Sequence, residues 1–99
     1  MASEIERHQV QARRRGPLKR VALKAIKDTR KDLDLTHKQV ANGIGLKRWQ
    51  VINMERGRRA IQPWDLALLE ETYKMSPGEL LKEIRRRDRR NRAKIPIDR

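Results

Sequence analysis

Cysteine and phenylalanine are absent from this 99-residue chain, and its aromatic content is Trp49, Trp64 and Tyr73. Without cysteine there is no disulfide to staple a small fold and no thiolate for a metal. His8 and His37 stand far apart without a cluster of further ligands, so no metal site and no cofactor is expected. No apolar run approaches the roughly 18 residues needed to cross a bilayer. The opening MASEIERHQVQARRR lacks the apolar stretch of a secretory signal, which points to a soluble, cytoplasmic protein without a membrane partner. Catalytic patterns are missing too. There is no nucleophile–base set or pair of acid/base carboxylates, and Gly43 and Gly45 are too few for a phosphate-cradling loop, so an enzyme is not expected.

What the chain has in excess is positive charge. Twenty-six Lys and Arg face 13 Asp and Glu, a formal net charge of +13 with a pI near 11.2. That balance favours a polyanionic partner, either nucleic acid or an anionic membrane surface. The charge is segregated. In residues 47–59, Lys47, Arg48, Arg56, Arg58 and Arg59 oppose only Glu55. Residues 82–94 carry eight basic side chains against Glu83 and Asp88, whereas residues 60–81 set Lys74 against Asp65, Glu70, Glu71 and Glu79. One face is built for a polyanion and another is not.

Apolar spacing reads as helices throughout. Residues 1–16 form a basic flexible arm in this reading, with Ser3 and Glu6 able to cap a short helix and Arg13, Arg14 and Arg15 available to an adjacent DNA groove. Pro17 then opens the first core helix, which buries Leu18, Val21, Ala22, Ala25, Ile26 and Thr29 and fades near Asp32. Thr36 and Gln39 fit a capping box before Val40, Ala41 and Ile44, and Gly45 ends this second, short helix. A third runs from about Lys47 to Gly57. A fourth begins at Pro63, with Trp64, Leu66, Ala67, Leu68 and Leu69 around most of its circumference, buried in the domain or against a second copy. Ser76-Pro77-Gly78-Glu79 starts a fifth, anchored by Leu80, Leu81 and Ile84. Pro96 ends any helix, and Ala93–Ile97 carries a weak strand signal. The division expected is an arm over 1–16, a helix-turn-helix domain over 17–84 and a basic extension over 85–99.

On a helical wheel the third helix turns Val51 and Met54 inward and Trp49, Asn53 and Arg56 outward, with Ile52 on the shoulder and Arg48 and Gln50 on the flanks. An outward Trp beside Asn and Arg is the composition of an interface. Arg can pair with guanine and Asn with adenine, each worth roughly 1–3 kcal/mol of discrimination.

From Leu18 to Leu81, about two thirds of the chain, the sequence resembles the lambda-repressor/Cro-like (XRE-type) helix-turn-helix domains. The stretch THKQVANGIGLKRWQVINMERGRR carries the likeness through the cap at Thr36, Ala41 at the helix crossing, the turn glycine Gly45, Val51 and the exit Glu55-Arg56-Gly57. SPGELL resembles the family's opening of helix five. The resemblance implies an all-α, compact five-helix bundle that binds double-stranded DNA, commonly as a two-fold homodimer on a palindromic operator, with helix three in the major groove. It implies base readout by Arg48, Trp49 and Asn53 with Gln50 close by, and backbone contacts by His37, Lys38, Lys47, Arg56, Arg58 and Arg59. Two positions depart from the pattern. Lys47 replaces the usual Ser or Thr cap, and Trp49 stands where small polar residues are commoner. A repressor of plasmid or phage type is the leading expectation. An antitoxin that binds a partner protein and autoregulates, and a non-specific nucleic-acid binder, are the alternatives.

Overall fold

The computed structural model describes residues 3–94, which form five helices in the order α1 (Glu4–Asp32), α2 (His37–Ile44), α3 (Arg48–Glu55), α4 (Pro63–Thr72) and α5 (Glu79–Lys94). The described residues contain no strand. Four helices contribute a pair or triplet to one core: Val21, Ala25 and Ile26 from α1, Val40, Ala41 and Ile44 from α2, Val51 and Met54 from α3, Leu80 and Ile84 from α5. Leu69 of α4 and Tyr73 just beyond it complete the centre. These are the positions that recur at one face per 3.6 residues, and burial of that face, rather than helix propensity, holds such short helices together.

The helix ends are built locally. Thr36 and Gln39 form a full capping box: the Gln39 N–H donates to Thr36 Oγ1 (3.1 Å) and the Thr36 N–H donates to Gln39 Oε1 (2.8 Å). Gly45 closes α2 at φ +73°, the left-handed conformation glycine adopts without a Cβ clash, and lets α3 leave at an angle after a very short turn. Gly43 serves a different purpose. A Cβ there would strike the Thr72 side chain, so glycine is what allows α2 to lie against α4. Glu70 reaches from α4 to cap α5, accepting from the Gly78 and Leu80 N–H groups at 2.9 Å each.

Three features differ from the sequence reading. Residues Glu4–Gly16 are the first half of α1, continuous through Pro17, rather than a flexible arm ending where the helix begins. The Ser3 hydroxyl accepts from the Glu6 N–H, and Ala12 to Arg15 are good helix formers, so the chain is helical before the proline. Pro17 then removes one internal hydrogen bond instead of opening the helix. Similarly, Arg85–Lys94 continue α5 rather than forming a separate extension. Met1, Ala2 and residues 95–99, with Pro96 and most of the weak strand signal, lie outside the described residues. The third difference is α4. Trp64 is 65% exposed and Leu81 at the start of α5 is 45% exposed. Ala67 is exposed as well, so within one chain α4 buries only Asp65 and Leu69 fully.

Candidate nucleic-acid interface

Packing decides which side of α3 is free. Val51 and Met54 are sealed in the core, 1% and 0% exposed. The opposite side therefore faces out: Trp49 is 58% exposed, Arg48 and Arg56 are exposed, and Asn53 and Ile52 are half-buried on its shoulders. An indole left this open loses most of the stabilisation its burial would contribute, on the order of 25 cal/mol for each Å² of apolar surface. Lys47 precedes α3, exposed and extended, and its side chain makes no capping bond. The compensation comes from Gln50, whose Oε1 accepts from the Lys47 N–H at 2.8 Å. Half of the Gln50 amide is thus spent on holding the start of its own helix.

Beneath this surface lies an ion cluster that the sequence alone did not assign. Arg30 of α1 clamps Glu55 at the end of α3, Nε to Oε2 at 2.7 Å and a second guanidinium nitrogen to Oε1 at 3.2 Å. The remaining arm of Arg30 donates to the Leu35 carbonyl (3.0 Å), fixing the loop that enters α2. His37, the first residue of α2, sets Nε2 3.1 Å from Glu55 Oε1. The side chains of Glu55 and Arg30 are 5% and 10% exposed. One carboxylate therefore ties α1, α2 and α3 together, and a bidentate pair also fixes their relative orientation. Deeper, the Tyr73 hydroxyl donates to the Ile26 carbonyl (3.2 Å). Burial first, and then the nearby Glu55 charge, push its phenol well above the ordinary value of 10.0.

The sequence-expected residues fall into three places. Arg48, His37 and Arg56 line a small concavity of about 240 Å³ together with Lys27, Ile52, Arg30 and Glu55. Lys27 had no assigned role, and its signal in the sequence was only a place among other lysines on α1. Lys38 is exposed on the first turn of α2, and Arg58 is exposed after α3. Arg59 is half-buried, with its Nε buried and without a partner. Gly57, at φ +76°, turns the chain after α3 beneath Leu23, and its carbonyl accepts from Lys19 Nζ (3.2 Å). Arg13, Arg14 and Arg15 are elsewhere, on the N-terminal half of α1, where Arg14 pairs with Asp88 of α5 at 3.2 Å. Of the expected residues, His37, Arg48 and Arg56 share the small concavity, and Arg13, Arg14 and Arg15 are not in its lining.

Among the described residues no cluster of His, Asp and Glu suited to a metal ion occurs, and no helix is long and apolar enough to cross a membrane. Searches among curated proteins and among solved structures returned no match. A helix-turn-helix family model matches residues 26–80, more than half of the chain, spanning the end of α1 through the first turn of α5. The five helices, the glycine turn between α2 and α3 and the outward-facing third helix agree with it. The chain belongs to the lambda-repressor/Cro-like helix-turn-helix family and is a DNA-binding transcription regulator of that type.

Proposed function

We propose that the protein is a sequence-specific repressor that occupies a palindromic operator as a homodimer, with α3 in the major groove. The observation that carries this reading is the exposure of Trp49 (58%) between Arg48 and Asn53, on a helix whose other side is fully packed. Arg48 suits guanine O6 and N7, and Asn53 suits adenine N6 and N7. Gln50, its oxygen turned back on Lys47, offers its NH₂ to an acceptor on a base edge and is poorly placed for two-point reading of adenine. Trp49 covers a thymine methyl or a sugar and has its indole N–H to donate. Lys38, Lys47, Arg56, Arg58 and Arg59 take the phosphates, with His37 beside them, and these supply affinity rather than sequence choice. Arg13 and Arg15 on α1 remain candidates for further backbone contact.

The exposed Trp64 and Leu81 support a contact between two copies.

The test is selection of bound fragments from a random duplex pool. A two-fold symmetric consensus is expected, and Arg48→Ala or Asn53→Ala each relaxes one position by about 1–3 kcal/mol of discrimination. Binding without any consensus would make the protein a non-specific binder and end this reading.

A further inference from the structure

A second charged surface lies on the far side of α1. Between α1 and α5 runs an open groove of about 550 Å³ with Pro17 and Val21 in its lining. Its walls carry Arg20 and Lys24 from α1 and Arg86, Arg90 and Lys94 from α5. None of its lining residues comes from α2 or α3. At 100° per residue, the groove side of α1 lies roughly 140° around the helix from Lys19, Leu23 and Arg30, which face the end of α3. A duplex seated on α3 therefore leaves the groove open.

The acids near this groove are already engaged. Asp28 holds Lys24 (3.3 Å) and Arg87 (2.9 Å), Glu83 holds Arg86 and Arg87 (2.6 and 2.8 Å), and Asp88 holds Arg14 and Arg92 (3.2 and 3.6 Å). Among the described residues, Arg20, Arg90 and Lys94 have no carboxylate partner. Arg86, Arg90 and Lys94 follow one another every four residues, about 6 Å apart along α5. Like charges in such a row repel one another, and a regularly spaced polyanion relieves that better than one isolated anion does.

We propose that the α1–α5 groove binds the sugar-phosphate backbone of a second nucleic-acid strand, so that one molecule bridges two segments. This goes beyond operator recognition by α3 and does not depend on which sequence α3 prefers.

The test compares the full-length wild type with R20Q/R90Q/K94Q, three changes at side chains that make no hydrogen bond among the described residues. Each protein is first loaded on an immobilised duplex and then offered a labelled duplex, a labelled single-stranded RNA or labelled polyglutamate. Wild type is expected to capture a labelled nucleic acid, and the triple variant to lose that capture while still binding the immobilised duplex. In titrations taken to salt low enough for the variant still to capture, its slope of log affinity against log salt should be smaller in magnitude by about 2.7 if the captured strand lies in a duplex, or by about 2 if it is single-stranded. Unchanged helicity of the variant by circular dichroism keeps the comparison valid. Capture undiminished in the triple variant would overturn the proposal. So would capture lost only when Arg48 and Asn53 are replaced, because the second strand would then sit on α3 of another copy. Preferential capture of polyglutamate would assign the groove to an acidic protein instead.

Discussion

Replacing Glu55 by alanine tests the central claim about how α3 is held. In the native chain the Glu55 carboxylate accepts two bonds from Arg30 and faces His37, with its side chain 5% exposed. Its removal leaves a guanidinium that is 10% exposed with the Leu35 carbonyl as its remaining acceptor. Breaking one partner of a buried pair costs about 3–5 kcal/mol, since the surviving charge stays out of water. Against the 5–15 kcal/mol that usually separates a domain from its unfolded chain, that is a large share. For a chain of this size it corresponds to a fall in melting temperature on the order of 15–25 °C. Urea unfolding followed by far-UV circular dichroism measures the loss directly, with the slope checked for two-state behaviour. Glu55→Gln, which keeps an acceptor and the shape, should cost about 1.5–3 kcal/mol. The double variant Arg30→Met with Glu55→Leu removes both charges and should recover most of the stability. A cost below about 1 kcal/mol for Glu55→Ala, the range of a solvated surface pair, would refute the reasoning.

Gly43→Ala should destabilise by about 1–2 kcal/mol, because overpacking against Thr72 outweighs the helix propensity gained, and adding Thr72→Ala should restore most of it. Pro17→Ala should stabilise by about 1–2 kcal/mol, since it returns a hydrogen bond to the interior of α1; an unchanged urea midpoint would argue that the helix is interrupted there in solution. Acid should loosen the α1–α5 contact. Hydrogen bonds from Arg87, and then from Lys24 and Arg86, hold the Asp28 and Glu83 carboxyls below their ordinary values of 3.8 and 4.5. Because the folded state releases these protons more readily than the unfolded state, the stabilisation is present above those values and is lost as the pH falls below them. Melting temperatures recorded from pH 6 to pH 3 should drop in the lower part of that range, and Asp28→Asn with Glu83→Gln should flatten the drop.

Periodicity and end signals were sufficient for most of the architecture. Val40, Ala41 and Ile44 after the Thr36 box, Gly45 in the turn, and Val51 with Met54 opposite Trp49 are local patterns, and local patterns survive in any fold that buries one face. The outward side of α3 was legible for the same reason: two inward positions define the wheel. The ends of the chain were not. Helix signals precede Pro17, but that the helix crosses it and that the basic run continues α5 are supported by the two segments lying side by side, with Arg14 on Asp88 and Arg87 on Asp28. Those partners are 74 and 59 residues apart, a distance no local rule spans.

The sequence by itself determined the helical class, the capped starts and glycine stops, the charge that calls for a polyanion and the family to which the pattern belongs. All of these follow from residue type and short-range spacing. Only the tertiary structure decided that Glu55 is the knot joining α1, α2 and α3, that Trp64 lies open while Tyr73 is sealed, and that basic residues from the middle of α1 and from α5 line one groove. The physical reason is that burial and charge pairing are properties of neighbours in space, and the fold chooses those neighbours from distant parts of the chain.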